Sequence, residues 1–426
     1  MKVLLVCDQF PPGFGPRMGY LCKYLKREGC SVDVVSEYYE DTRYQFLCGN
    51  THAEKTVAFY RKASEGGGGK GEWMKVMLAD FLWEYKDRRM YKAVVSDPAW
   101  NNYDLVLCST FRTFPLPAAR RLARHFGVPL VADLRDIVEQ YPDNSYILHG
   151  NAFGSGRLSR WISALAEKVF TARIQRQRNK VLRKADAVVS VSPWHQEFLK
   201  KFNQRSFLIY NGYDPEVFFP APVADSVFRI TYTGRLISAN MRNPDLLFEA
   251  VARLRDAGKI HAEDFRLCWY VDKDSMPVVH AWAKEYALEE LVECQGFVPA
   301  SEVPAVLNRS SVLLQLANVA DEKGPKGIMT TKFFEALAIG KPLLLVRHDE
   351  SYLGALVEEL GCGLAARTVD EVSAFLEAEY GKWKQSGSTQ REVNQEIVGR
   401  FSRKEQALSF LRVFEQVVES RGMARK

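Results

Sequence analysis

The feature that most constrains the fold is a repeated order of apolar run, turn-rich loop and helix-like stretch. It appears at once. KVLLVCD (2–8) is an unbroken apolar run ending in Asp8. The loop QFPPGFGPRMG follows, then YLCKYLKREG (20–29), which Gly29 closes as a C-terminal glycine, and then CSVDVVS (30–36). A strand, a glycine-rich loop, a helix and a second strand make a βαβ unit with parallel strands. The order recurs at YDLVLCS (103–109), PLPAARRLARHFG (115–127) and VPLVADLRD (128–136), and again at ADAVVSVSP (185–193). Strands that are apolar throughout, not alternating, imply a sheet covered by helices on both faces.

The rhythm breaks in IYNGYDPEVFFPAPVADS, which is rich in proline and turn formers and reads as a linker over 208–225. A second series then starts at FRITYTG (228–234). It alternates through FRLCWYV, VECQGFV, VLLQLA and KPLLLV, with helix-like stretches between them, and GLAARTVDEVSAFLEAEY reads as a turn and a helix. The expected fold is α/β, with two doubly wound parallel-sheet halves, 1–207 and 226–400. A last helix lies within 401–426. The glycine-rich EGGGGKGE (65–72) reads as a flexible loop, and the aperiodic stretch 139–156 as a lid or acceptor loop.

The composition narrows the setting. At 426 residues and 47% hydrophobic, the chain can bury full cores in two or three domains. It holds no apolar run of about 18 residues or more, so no transmembrane helix is expected. The opening MKVLLVCDQF is too short in its apolar part for a signal peptide and reads as a strand, which points to a cytoplasmic location. Eight scattered cysteines, several in apolar runs and with no C-x-x-C pair, suit buried reduced thiols. The net charge of +6 is modest, but basic residues gather in 61–92, among Trp, Phe and Tyr, and in ARIQRQRNKVLRK (172–184). Such segments are either solvated helix faces or surfaces for an anionic membrane or polyanion. Nucleic acid is not expected as a partner, because no groove-reading motif accompanies them.

In open α/β sheets ligands bind beyond the carboxyl ends of the strands, and four loops there carry chemistry. Gly13 and Gly15 follow the first strand and could let a backbone approach a ligand. Asp133, Arg135 and Asp136 end an apolar strand, where charges are costly unless paired or solvated. Thr233-Gly234-Arg235, with Arg242 seven residues beyond Arg235, can hold a diphosphate through guanidinium groups. Finally, VLLQLA feeds a loop with two glycines and a helix that opens at Thr330, Thr331 and Lys332. Free N–H groups of its first turn suit a phosphate. Glu335 shares a face with Thr331 and can accept hydrogen bonds from ribose hydroxyls.

These features, in this order, resemble a GT-B fold glycosyltransferase, and most of all glycosyltransferase family 4 of the bacterial surface-polysaccharide type. FPPGFGPRMGYL, IYNGYDPEVF, YTGRL with Arg242, GFVPASEVPAVLNRSSVLLQL and TKFFEALAIGKPLLLV carry the resemblance, which spans nearly the whole chain. It implies two Rossmann-like domains facing a cleft, with the acceptor in the first, the nucleotide sugar in the second and the last helix crossing back. It also implies transfer with retention from a UDP- or GDP-linked sugar to a glycan or lipid-linked acceptor, in cell-surface polysaccharide synthesis. The protein would be cytoplasmic or attached to the inner face of the plasma membrane. The nucleotide sugar is a co-substrate, so no tightly bound cofactor is implied, and no metal is expected.

Residue by residue, the resemblance assigns Arg235 and Arg242 to the diphosphate, Glu335 to the ribose, and Phe297 and Val298 to the base. Gly15 falls near the phosphates and acceptor. Thr330, Thr331 and Lys332 complete the donor site, and Arg135 and Asp136 stand where many members carry a histidine near the sugar. Arg135, Asp136, Arg235 and Arg242 are thus the candidate catalytic residues. The first Glu of the family's E-x7-E motif is replaced by Gly327, with Glu322 as a substitute from the loop. A nucleotide-sugar epimerase of the same fold and a non-catalytic nucleotide-sugar or glycan-binding protein are the other readings.

Overall fold

The computed structural model describes residues 1–61, 69–140, 157–221, 223, 225–236, 242–317, 327–346 and 352–423. Residues 141–156 of the loop candidate 139–156, the loop 318–326 with Glu322, and 65–68 of the glycine-rich 65–72 lie outside the described residues, while residues 70–72, read as loop, begin a helix. The chain divides into two compact units, Met1–Tyr210 with Arg403–Lys426, and Asn211–Ser402. The division falls inside the stretch read as a linker.

The first unit runs β1 (Lys2–Cys7), α1 (Pro16–Arg27), β2 (Ser31–Glu37), β3 (Ala53–Val57), α2 (Lys70–Trp83), α3 (Tyr85–Val95), β4 (Leu105–Thr110), α4 (Leu116–Phe126), β5 (Leu130–Leu134), α5 (Arg157–Leu182), β6 (Ala187–Ser190), α6 (Pro193–Lys200) and β7 (Ser206–Leu208). Its seven strands are parallel, in the order β3-β2-β1-β4-β5-β6-β7. The apolar run of β1 feeds two cores, because successive side chains point to opposite faces. Leu4 and Val6 enter one core with Met90, Val94, Leu116 and Leu122. Val3, Leu5 and Cys7 enter the other with Met18, Leu21, Phe410 and Phe414.

The second unit runs β8 (Phe228–Thr233), α7 (Asp245–Asp256), β9 (Phe265–Tyr270), α8 (Met276–Glu285), β10 (Val292–Gln295), α9 (Val303–Arg309), β11 (Val312–Leu316), α10 (Thr331–Ile339), β12 (Leu343–Val346), α11 (Tyr352–Glu359), β13 (Gly363–Ala366), α12 (Val369–Ser386) and α13 (Gln395–Gly399). Its six parallel strands are ordered β10-β9-β8-β11-β12-β13. α14 (Arg403–Met423) closes the chain and belongs to the first unit. Its Phe410 and Phe414 are fully buried. Each such side chain contributes about 1.5–3 kcal/mol of burial free energy.

Three edge strands depart from the sequence reading. AEKTV forms β3 although it lacks an apolar run, and SFL forms β7 beside the expected linker. GLAA, read as a turn, forms β13 against β12. Edge strands bury less and carry weaker patterns than central ones. All eight cysteines are free thiols, five of them buried. Among the described residues no helix is long and apolar enough to cross a membrane, and no cluster of potential metal ligands occurs.

Candidate functional site

Strand order reverses between β8 and β11 in the second unit, which opens a crevice at their carboxyl ends. Four of the charged candidates meet there. β8 ends at Thr233, and the next two residues are Gly234 and Arg235. Gly234 has φ +120°, a left-handed backbone that favours glycine. A Cβ on it would collide with the Lys332 ammonium, whose Cε would lie 2.5 Å away. The Lys332 ammonium also lies 5.1 Å from the centre of the Tyr232 ring.

Lys332 stands in the first turn of α10. Thr330 caps that helix with an extended backbone but no side-chain hydrogen bond, and the first turn contains no acid. Helix N-termini carry partial positive charge and favour acids, so a lysine here is suited to an anion supplied from outside. Burial and the positive charge of Arg242 push the Lys332 ammonium down to about 7, with Arg235 adding to the shift and Glu335 and Asp272 opposing it. Arg242 donates to the Leu316 carbonyl at 3.0 Å, which holds its guanidinium at the end of β11, and its Nε is buried with no hydrogen-bond partner among the described residues. Arg235 is more open. Its Nε lies 3.5 Å from Asp272, its guanidinium is 5.9 Å from the Phe297 ring, and its carbonyl accepts from the Tyr232 hydroxyl at 2.8 Å.

Phe297 is exposed and Val298 half-buried, two residues and three beyond β10. Thr331 and Glu335 are half-buried on α10, whose Phe333 and Phe334 are fully buried. Gly327 has φ +64°, where a glutamate would be strained. Asp272, Tyr232 and Ser275 escaped the sequence reading. Ser275 donates to Asp272 and accepts from the Leu236 N–H at 3.1 Å, so this triad fixes the loop that carries Arg235. The available signal was position, since Asp272 follows the apolar run of β9 as Asp8 follows β1.

Gly15, Arg135 and Asp136 lie in the first unit. Gly15 caps α1, accepting from Met18 N and Gly19 N at 3.1 Å, and a Cβ there would come within 2.7 Å of the Gln9 carbonyl. The DLRD charges separate. Asp133 is fully buried, accepting from Arg17 at 2.9 and 3.2 Å and from Ser109 at 2.8 Å. Arg135 pairs with Asp8. The Asp136 carboxyl is pushed up to about 7 by burial, against the opposing pull of Arg135 and a hydrogen bond from Gln140. Gln140 in turn meets His195 Nε2 at 2.9 Å.

A parallel α/β unit with cations gathered at a strand-order reversal and a helix N-terminus suits an anionic ligand. Residues 13–217 match the family Glycosyltransferase Family 4, and residues 227–378 match Glycosyl transferases group 1. The chain belongs to the glycosyltransferases of the GT-B fold. No curated protein sequence matches it. Among solved structures it is similar to sucrose-phosphate synthase from Thermosynechococcus elongatus, at 14% identity and TM-score 0.60 over 99% of this chain and 100% of that one. It is also similar to HepE of Anabaena in complex with UDP and glucose, at 15% identity and TM-score 0.59 over 99% and 100%. A third is the N-terminal domain of trehalose-6-phosphate phosphatase from Candida albicans, at 12% identity and TM-score 0.66 over 98% and 97%.

Proposed function

We propose that the second unit binds a nucleotide-diphosphate sugar, UDP- or GDP-linked, and that the enzyme transfers its sugar to a glycan or lipid-linked acceptor with retention. One observation carries this reading: Arg235, Arg242 and Lys332 meet at the β8–β11 reversal and the N-terminus of α10. The two arginines and Lys332 hold the diphosphate, together with the N–H groups around Thr330 and Thr331. Glu335 accepts from the ribose, and Phe297 and Val298 border the base. HepE, similar in fold, binds UDP and glucose.

The bond that breaks joins the sugar C1 to the phosphate oxygen. Positive charge grows on the sugar ring and negative charge on the leaving diphosphate. Cations fixed before the reaction stabilise that charge at no cost in reorganisation. The leaving phosphate can accept the acceptor's proton. Asp136, Arg135 and Gly15 serve the acceptor side.

A place in surface-polysaccharide synthesis, on the inner face of the membrane, agrees with the surface of α2 and α5. Met74, Leu78 and Leu82 on α2, and Trp161, Leu165 and Val169 on α5, are exposed apolar side chains at four-residue spacing, which puts each trio on one helix face. Among the described residues the exposed charged side chains of both helices are basic: Lys75, Lys168, Arg176 and Lys180. Apolar stripes flanked by cations suit an anionic bilayer.

Gly327, which offers no carboxylate to the donor sugar, favours the non-catalytic binder as a second reading. Thermal shift with UDP and GDP, followed by incubation with their sugars, tests both. Stabilisation by one nucleotide together with sugar transfer is the expected result. Binding without turnover would establish the binder, inversion of the sugar without release would establish an epimerase, and no stabilisation by either nucleotide would overturn the donor site.

A further inference from the structure

A cavity of about 280 Å³ lies in the first unit, beyond the carboxyl ends of β1, β2 and β4. Asp8, Glu37 and Phe111 line it from those strand ends, and Trp73, Asp80 and Phe81 line it from α2. The reversal of strand order between β1 and β4 falls at this end of the sheet, the general position of ligand sites in such folds. The cavity combines apolar and aromatic walls with a few polar groups, the usual composition of a small-molecule site.

Its polar groups are mixed, with carboxyls in slight excess over cations. Four carboxyls, those of Asp8, Glu37, Asp80 and Asp87, reach it. Three cations line it with them, Lys86, Arg112 and Arg173, and each packs on a wall of the cavity, the Arg112 guanidinium lying 5.1 Å from the Phe111 ring. Lys86 donates to Glu37 at 2.7 Å and sits 4.3 Å from the Phe114 ring, and Arg173 lies 4.8 Å from the Phe81 ring. One carboxylate oxygen of Asp8 faces Arg135 and the Gln9 N–H, while the other, with the side chain nearly fully buried, has no hydrogen-bond partner among the described residues. All four carboxyls are displaced upward, chiefly by burial. Negative neighbours add to the shift: Asp80 on Asp87, and Glu37 and Asp8 on the Tyr39 phenol. A ligand carboxylate or phosphate would meet the same burial penalty as these carboxyls, whereas hydroxyl or ammonium donors would satisfy the buried Asp8 oxygen.

We propose that this cavity receives the terminal sugar of the acceptor, and that it takes neutral or amino sugars and excludes those bearing a carboxylate or phosphate. The proposal rests on the glycosyltransferase reading and adds the acceptor's chemical class. The aromatic walls take the apolar face of a pyranose, and the carboxyls take its hydroxyls or ammonium. α2, which lines the cavity with Trp73, Asp80 and Phe81, also carries the exposed stripe of Met74, Leu78 and Leu82, so the site lies beside the surface that suits a bilayer.

Saturation-transfer NMR on the full chain tests this with three methyl glycosides of one hexose: the glucoside, the glucosaminide and the glucuronide. Transfer to the first two and not to the third is expected. Trp73→Ala, a change at a partly exposed position, is expected to weaken glucoside binding about fivefold. No transfer to the glucoside, equal transfer to the glucuronide, or unchanged binding in Trp73→Ala would each overturn the proposal. UDP stabilisation measured on the same preparation reports the donor site separately. Its failure would sink the donor reading and leave the sugar-binding result standing.

Discussion

The Lys332 ammonium fills the space that a side chain on Gly234 would need. Gly234 is therefore part of how the site holds its cation, as well as the turn that ends β8. Its φ of +120° adds strain for any other residue. Gly234→Ala is expected to displace Lys332, lower UDP affinity about tenfold and destabilise the fold by more than about 1 kcal/mol. Calorimetric titration and urea unfolding read the two effects, and an unchanged UDP affinity would remove Lys332 from the donor site.

Lys332 also ties ligand binding to pH. Its ammonium is held at about 7 in the folded chain against an ordinary value of 10.5, so between these values the unfolded chain binds the extra proton. Stability therefore rises with pH across that window, and the penalty is fully present below about pH 7. Lys332→Met should flatten this part of the stability profile. A bound diphosphate favours the charged form, so UDP binding near pH 8 should take up protons. Titration in buffers of differing ionisation heat would reveal the uptake, and Lys332→Met should abolish it.

Glu335→Ala and Arg235→Ala separate chemistry from folding. Arg235 is well exposed and its contact with Asp272 is long, at 3.5 Å, so its loss should leave stability within about 0.5 kcal/mol. Each variant is expected to lose most transfer activity while keeping its circular dichroism. Undiminished turnover in either purified variant would remove that residue from the assigned role.

The central strands and most helices were legible because burial on both faces of a sheet demands continuous apolar runs, as in KVLLVC and VLLQL. The helix at Thr331–Ile339 was legible for a local reason: buried Phe333, Phe334, Leu337 and Ala338 follow one another at helical spacing. β3 and β13 were not legible, since edge pairing leaves little trace in the residues. The partners of each charge were hidden too. Nothing in DLRD tells that Asp133 belongs to Arg17, 116 residues earlier, while Arg135 belongs to Asp8. The cavity of the first unit draws Asp8, Glu37, Asp80 and Asp87 from four separate segments, and proximity of that kind is made by the fold alone.

The Arg17–Asp133 pair is a stability element. Both side chains are almost fully buried, and Arg17 also donates to the carbonyls of Ile209 and Tyr210 at 3.0 Å. It thus joins α1, β5 and the exit of the sheet at one point. Asp133→Asn leaves a buried guanidinium without its counter-charge and is expected to cost about 3 kcal/mol. Chemical denaturation of the variant measures this. A cost below about 1 kcal/mol would show that solvent reaches the pair.

The exposed stripes of α2 and α5 make the last prediction. A monomer gains nothing from presenting Leu78 and Leu165 to water, whereas a bilayer would bury both. Lys75, Lys168 and Arg176 on the same helices are exposed and would add electrostatic attraction to anionic headgroups. The protein is therefore expected to float with vesicles of phosphatidylcholine and phosphatidylglycerol, and less so as salt rises, since the electrostatic part is screened. Leu78→Glu with Leu165→Glu should abolish flotation while UDP binding in the second unit stays unchanged. Because both positions are solvent-exposed, the double variant should fold normally, so flotation equal to wild type would exclude these two faces as the contact.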